Sequence, residues 1–157
     1  MKLNAKVIRW TVLLYIILVV PISLFHEYGH ATVCAAAGDR YRIWVDFSGG
    51  HEECFNVGIT RLFSYNVMGG VFGLVASGVI IAVGIGFNRQ PAVLAVGLAY
   101  AVDQFTKVVL EGFFTLGYVY HRFDVLVTVI QVASWIGFMI YFARVHAFPK
   151  LSESRNV

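Results

Sequence analysis

The residues His26-Glu27-Tyr28-Gly29-His30 carry the pattern H-E-x-x-H. On a helix, two histidines at this spacing lie one turn apart on the same face, where both imidazoles can bind one Zn²⁺. Glu27 directly follows the first histidine and is placed to take a proton from a metal-bound water. The motif therefore predicts a zinc site with His26 and His30 as ligands and Glu27 as the general base.

Two histidines do not complete a catalytic zinc site, which usually has three protein ligands and a water. The remaining ionisable residues inside an apolar segment are Asp103, Lys107 and Glu111, spaced four apart. Asp103 lies about twelve residues into its segment, so we expect it to be deep and prefer it as the third metal ligand. Glu111 is the alternative, about 12 Å further along the axis. The spacing also permits a ladder of helix neighbours that neutralise one another.

The composition explains why such residues are informative here. Of 157 residues, 59% are hydrophobic and 13% charged, whereas soluble domains have about 45–50% apolar and about 25% charged residues. Residues 10–25, 62–88 and 125–143 contain no Asp, Glu, Lys, Arg or His. Ionisable groups are costly in such surroundings, and metal coordination would offset the cost. The alternative, that the first helix ends near Phe25 and the motif lies among lipid headgroups, is disfavoured by the uncharged continuation at residues 31–37.

These patterns predict an integral, all-α membrane protein with about four transmembrane helices, at residues 7–37, 64–87, 91–120 and 124–145, in one domain of residues 1–157. Pro21 predicts a kink or local break in the first helix. Disorder, a disulfide scaffold and a nucleic-acid partner are excluded, since the 12 Lys and Arg residues form no basic tract beyond the segment ends. We expect the lipid bilayer as the surroundings and leave the oligomeric state open.

The connection at residues 40–59 predicts a β-hairpin packed on the first helix, with an irregular loop as the alternative. The strand pattern comes from Tyr41, Ile43, Val45 and Phe47, which alternate with Arg42, Trp44 and Asp46. Gly49 and Gly50 offer a turn, and residues 54–59 could return as the second strand. Cys34 and Cys54 could pair, yet one lies in an apolar helix and the other in a polar loop, so their redox state stays open.

Orientation follows from the basic residues in the flanks and short loops. With the N-terminus in the cytoplasm, the inner side holds seven Lys and Arg residues and the outer side four. The seven are Lys2, Lys6, Arg9, Arg89, Arg144, Lys150 and Arg155, and the four are Arg40, Arg42, Arg61 and Arg122. We therefore expect a multi-pass protein of the cell membrane with both termini cytoplasmic.

The second segment has small residues on two helical stripes, which we interpret as packing positions that place this helix at the bundle centre. The stripes are Gly69, Gly73 and Ser77, and Gly70, Gly78, Ala82 and Gly86. Asn66 is a candidate donor to a developing oxyanion, and Asn88 is interpreted as a loop residue.

The histidines outside the motif are assigned lesser roles. We interpret His51 as part of a solvated turn, although it could bind a metal, and His121 and His146 as interfacial anchors at segment ends. Asp124 is predicted to cap the fourth helix.

The first motif, followed by Ala31 and with an intramembrane acid downstream, resembles the site-2 protease family of intramembrane zinc metalloproteases, as a small, compact member without an accessory domain. The resemblance implies zinc held by His26, His30 and Asp103, Glu27 as the general base, and a membrane-associated hairpin after the first helix. Two features depart from the family pattern. Family members typically carry Asn-x-x-Pro shortly before Asp-Gly. Here Asn88-Arg-Gln-Pro91 begins fifteen residues before Asp103, and Asp103 is followed by Gln104 and not by Gly. Glu111-Gly112 is the nearest equivalent of the Asp-Gly dipeptide.

Together, motif and resemblance predict an intramembrane zinc metalloprotease that hydrolyses transmembrane protein substrates. The alternative is a non-catalytic membrane metal-binding protein: a carrier, a sensor or an inactive relative. In that case Asp103, Lys107 and Glu111 could line an ion or proton path. Glu27 discriminates between the two, because hydrolysis needs a base beside the metal and transport does not.

Overall fold

A computed structural model describes residues 3–46, 49–55, 62–87, 90–115 and 123–146, with only the backbone at residue 124. Helix α1 (Ala5–Ala36) is followed by strands β1 (Tyr41–Asp46) and β2 (Gly49–Cys54), then by helices α2 (Leu62–Gly86), α3 (Pro91–Phe113) and α4 (Asp124–Val145). In the described ranges, four helices are long and apolar enough to cross a membrane. The predicted fold class, four apolar helices with a hairpin after the first, is confirmed.

The helix starts follow from local chemistry. Asn4 caps α1 because its side-chain oxygen accepts hydrogen bonds from two first-turn amides, and Pro91 begins α3, where its missing N–H costs nothing. Helix α1 continues through Pro21, so the predicted local break does not occur, and a kink there stays a prediction. Helix α4 begins at Asp124 with Phe123 in the N-cap position, so Asp124 is the first helical residue and not the predicted cap.

Helices α1 and α3 each pack against all three other helices, whereas α2 packs mainly against α1 and α3. Helix α3 is the most buried of the four and therefore takes the central place that was expected for α2. Aromatic stacking joins three of the helices: the ring of Tyr15 lies 4.8 Å from that of Tyr100 and 4.7 Å from that of Trp135, measured between centroids. Tyr100 also donates a hydrogen bond to the Tyr15 carbonyl, at 2.6 Å.

The first stripe of small residues on α2 is buried in these helix contacts, at Gly69, Gly73 and Ser77. The second stripe packs only in part: Gly78 and Gly86 are exposed, and a Cβ at either would meet no described atom within 4 Å. Close helix approach therefore explains the first stripe, whereas the C-terminal part of the second stripe faces away from the neighbouring helices.

The hairpin pairs β1 with β2 antiparallel, from Tyr41 opposite Cys54 to Asp46 opposite Gly49. The second strand lies at Gly49–Cys54 and not at the predicted residues 54–59, and its first residue, Gly49, has a φ of 139° that glycine adopts without strain. Residues 56–59 lie outside the described part of the chain. As predicted, the hairpin packs on α1.

A disulfide between Cys34 and Cys54 fixes the end of β2 to the last turns of α1. At the opposite end of the bundle, the backbone amide of Asn4 donates to the Ala143 carbonyl at 3.0 Å, and its side chain donates to the His146 carbonyl at 3.1 Å. The start of α1 and the end of α4 thus lie together, at the end of the molecule away from the hairpin.

Candidate metal centre

Helices α1 and α3 bring three metal-ligating side chains into one buried group: His26, His30 and Glu111. Their exposed fractions are 5%, 8% and 5%. The two imidazole Nε2 atoms lie 3.2 Å apart, and the Glu111 carboxylate places one oxygen 3.4 Å from His26 Nε2 and the other 3.5 Å from His30 Nε2. We call these three residues the metal group.

The opposite ring nitrogens of both histidines are already engaged. His30 Nδ1 donates to the Tyr65 carbonyl at 2.7 Å, and His26 Nδ1 donates to the side-chain oxygen of Gln104 at 2.8 Å. A neutral imidazole carries one N–H, so each Nε2 presents a lone pair. Two lone pairs and a carboxylate therefore converge in a buried space, and Glu111 Oε2 has no hydrogen-bond partner among the described residues.

The spacing of these atoms fits a metal ion. Zinc holds imidazole nitrogen and carboxylate oxygen at about 2.0–2.2 Å, so neighbouring ligand atoms of a tetrahedral site lie about 3.3–3.5 Å apart. The observed separations are 3.2, 3.4 and 3.5 Å. Two imidazoles and one carboxylate are also a donor set of catalytic zinc sites. The metal group could therefore hold a divalent cation.

The structure reverses the predicted order of the two candidate acids, since Glu111 joins the histidines and Asp103 does not. The reason is helix direction. Helices α1 and α3 run parallel, and Tyr15 stacks on Tyr100, 85 positions later. The same offset leads from His26 to Glu111. Asp103 is deep within its own helix, but the histidines lie near the hairpin end of α1 and not at its middle.

Asp103 is nevertheless connected to the metal group through its neighbour. Its Oδ2 accepts a hydrogen bond from Gln104 Nε2 at 2.9 Å and lies 3.5 Å from the ammonium of Lys107. The predicted ladder thus forms between Asp103 and Lys107, whereas Glu111 turns to the histidines. Gln104 was not among the predicted site residues, although a glutamine inside an apolar helix beside an acid is a signal for a buried polar contact.

Glu27 lines a cavity of about 300 Å³ together with the metal group. Strand β2 packs directly on Glu27. A Cβ added to Gly50 would lie 2.9 Å from Glu27 Cγ and 3.1 Å from Ser23 Cβ. The Glu27 side chain therefore lies against strand β2 and lines the cavity that the metal group also lines.

The hairpin also contacts α2 across the cavity, through two residues that were not predicted as site residues. The Tyr65 hydroxyl donates a hydrogen bond to Glu52, and both side chains line the cavity. Burial disfavours the charged carboxylate and raises the pKa of Glu52 above its ordinary value. Tyr65 thus contacts the hairpin with its side chain and His30 with its backbone; no sequence signal marked it.

Asn66 forms part of the cavity wall, and its amide donates to the Thr115 hydroxyl at 3.0 Å. That hydroxyl in turn donates to the Glu111 carbonyl at 2.6 Å. Asn66 is buried and lines the same cavity as the metal group, and its role toward an oxyanion stays a prediction.

The other two described histidines, His51 and His146, are not part of the metal group. His51 bonds Asp46 at 3.0 Å and stacks on Trp44, so it is part of the hairpin at the edge of the cavity. His146 lies at the end of α4 with its Nδ1 3.1 Å from the Phe142 carbonyl. His121 and Asn88 lie outside the described residues. A second group of possible ligands, Cys34, Cys54 and Glu52, has its two sulfurs joined in the disulfide.

Comparison of the chain with protein-family models, with curated protein sequences and with solved structures gives no match in any of the three. The resemblance to site-2 proteases stays a prediction that rests on the motif and the layout of the chain.

Proposed function

We propose that this protein is an intramembrane zinc metalloprotease of the site-2 protease type, with His26, His30 and Glu111 as metal ligands and Glu27 as the catalytic base. The observation that carries the proposal is the convergence of two bare imidazole nitrogens and a carboxylate, 3.2 to 3.5 Å apart, inside a bundle of apolar helices. Glu27 shares their cavity. A metal site with an adjacent free acid is suited to hydrolysis.

The chemistry is divided between the ion and the chain. A bound zinc ion lowers the pKa of a water toward about 7 and polarises a carbonyl oxygen. Glu27 accepts the proton of the attacking water and delivers it to the departing amine. The Asn66 amide, in the cavity wall, is the candidate donor to the oxygen that becomes negative.

The substrate class follows from where the cavity lies. A transmembrane helix has its amides in internal hydrogen bonds, so it must unwind before a peptide bond can be attacked. Among the described residues, strands β1 and β2 pair only with one another, so each has a second edge that β-strand addition could use to hold an unwound segment. Glu52, at the hairpin end of the cavity, and Glu27 would then face the bound backbone.

Two observations support the predicted orientation, with both termini cytoplasmic. Asn4 contacts Ala143 and His146, so the start of α1 and the end of α4 lie on the same side of the bundle. The hairpin with its Cys34–Cys54 disulfide lies on the other side, and disulfides persist in oxidising compartments. Reporter fusions after residue 146 and within the hairpin should show the first cytoplasmic and the second external.

The alternative of an ion or proton path along α3 receives less support. Asp103 and Lys107 pair with one another at 3.5 Å, and Gln104 occupies the same carboxylate oxygen of Asp103. These contacts favour a fixed structural role over a series of open transfer sites.

The test uses the full chain purified in detergent, with its metal content measured, and then reconstituted with labelled synthetic single-span peptides. Mass spectrometry reports cleavage. We expect about one zinc per chain and cleavage that Glu27→Gln abolishes while zinc remains bound. Glu53→Gln is the matched control, because Glu53 is exposed on the same hairpin side of the bundle. Full activity in Glu27→Gln would overturn the proposal. A parent chain that binds zinc but cleaves no peptide would favour the non-catalytic alternative.

A further inference from the structure

A line of buried polar side chains leads from the metal group into the middle of the bundle. Gln104 and Asp103 are 1% and 2% exposed, and Gln104 bridges the Asp103 carboxylate and the His26 ring. Lys107 lies one turn further along α3, 3.5 Å from the same carboxylate oxygen. Burying polar groups in apolar surroundings costs free energy unless they are hydrogen-bonded. Asp103 Oδ1 has no hydrogen-bond partner among the described residues, so a structural role alone does not account for the burial of this carboxylate.

The Gln104 amide has two possible orientations, and Asp103 selects one of them. An ionised carboxylate only accepts hydrogen bonds, so the amide NH₂ must face Asp103, where it donates at 2.9 Å. The ammonium of Lys107, which has only donors to offer, lies 3.5 Å from the same oxygen, so that oxygen serves as an acceptor on both sides. The amide oxygen is thereby directed away from Asp103 and toward His26.

The orientation of the amide decides which nitrogen of His26 carries the proton. Because Gln104 presents an oxygen, His26 Nδ1 must be the donor, and Nε2 is left bare toward His30 and Glu111. His30 obtains the same tautomer from the Tyr65 backbone carbonyl, which has no alternative orientation. Of the two histidines, only His26 depends on side chains for its tautomer.

Helix α2 shapes the slot in which the amide lies. A Cβ on Gly73 would be 2.0 Å from the Gln104 side-chain oxygen and 2.4 Å from its Cδ, so only glycine leaves room for the amide at this height. The small residue that allows the helices to approach therefore also positions the amide.

We propose that Asp103 and Lys107 are positioning residues for the metal: they orient the Gln104 amide, and the amide fixes His26 in the tautomer that can bind the ion. The inference rests on the metal group of the proposed function. It assigns Asp103 a role outside the ligand set, where it acts on His26 through Gln104.

The decisive measurement is a double-mutant cycle on zinc affinity, with the full chain in detergent and a chromophoric chelator as competitor. Loss of a hydrogen-bond partner behind a metal-bound histidine typically lowers affinity about 10–100-fold. We expect a loss in this range for Asp103→Asn and for Gln104→Leu, and no further loss in the double variant, because both changes break the same link. Lys107→Met should weaken binding and Lys107→Arg should restore it.

Nitrogen-15 NMR of labelled histidine supplies a readout that a merely structural role would not move. The His26 ring should carry its proton on Nδ1 in the parent chain and populate both tautomers in Asp103→Asn and Gln104→Leu. Gly73→Ala should have the same effect by displacing the amide without removing a polar group. Gly78→Ala is its matched control on the same helix, because a Cβ there meets no described atom within 4 Å.

Three results would overturn the inference: loss of zinc binding in Asp103→Asn as complete as in Glu111→Gln, losses that add in the double variant, or an unchanged His26 tautomer in every variant. If Asp103→Asn does not fold, Gly73→Ala and Lys107→Met still decide the question. A parent chain that binds no metal would refute the proposed function, yet the tautomer comparison would still test the positioning role separately.

Discussion

Gly69 offers the most direct test of the metal group, because a side chain added at this position would meet His30, a proposed ligand. A Cβ at this position would lie 2.2 Å from His30 Nε2 and 2.6 and 2.7 Å from the neighbouring ring carbons. Ordinary contacts begin at 3.4 Å, so Gly69→Ala requires the ring or the helix to move by about 1.2 Å, whereas a metal site tolerates about 0.2 Å. His30 cannot keep its ligand position with an alanine there.

The expected result is a loss of zinc affinity greater than about 100-fold, since the displaced group is a ligand and not merely a partner behind one. Chelator competition measures this loss. Overpacking alone typically destabilises a protein by about 1–3 kcal/mol, so helicity and the melting temperature must be followed in parallel.

Two variants on the same helix separate loss of the ligand from loss of packing. Gly84→Ala overpacks against Leu94, whose side chain would lie 2.9 Å from the new Cβ, about 22 Å along the helix from Gly69. Gly78→Ala enters open space. Both should bind zinc as the parent does. Parental zinc affinity in Gly69→Ala, or an equal loss in Gly84→Ala, would refute the assignment of His30.

The remaining predictions concern the base and the hairpin. Glu27→Gln should retain zinc and lose peptide cleavage, because the amide cannot accept the proton. Reduction, or Cys34→Ser with Cys54→Ser, should lower the free energy of unfolding by about 3 kcal/mol, the chain-entropy value for a closed segment of 20 residues, as measured by thermal unfolding. Because the pKa of Glu52 is raised in the fold, its contribution to stability is present at low pH and is lost as the pH rises through that pKa. Glu52→Gln should remove this part of the pH dependence, and Tyr65→Phe should loosen the hairpin at every pH.

Each of these has a clear contradicting result. Unchanged cleavage in Glu27→Gln would remove the base from the mechanism, and equal stability with and without the disulfide would mean that Cys34 and Cys54 do not constrain the chain. If the free energy of unfolding of the parent, compared with that of Glu52→Gln, increased as the pH rises, the effect of burial on the Glu52 carboxyl would be contradicted.

The sequence was sufficient for the features that depend on local patterns. Runs of apolar residues predicted four helices, because hydrocarbon-spanning helices need a minimum length and few charges. The spacing of His26 and His30 placed both imidazoles on one face of α1, since helical periodicity is a property of the backbone. Local pattern also located the hairpin, although Gly49 begins its second strand and not its turn.

Which acid lies beside the two histidines depends on the arrangement of the helices and not on either helix alone. Depth within its own segment favoured Asp103, but α1 and α3 run parallel with an offset that brings Glu111 level with His26. A one-dimensional pattern gives the position of a residue along its helix and not the height of that helix beside another. Side-chain packing between helices fixes that height, as the stacking of Tyr15 on Tyr100 does here.

The sequence therefore determined which residues are able to bind a metal, because residue type and helical spacing are local. The tertiary structure decided which of them meet. It put Glu111 beside the histidines and Asp103 behind Gln104, and it brought Tyr65 and Glu52 together over the cavity. The physical reason is that a contact between distant segments depends on the relative height and rotation of packed helices, which close approach at Gly69 and Gly73 sets.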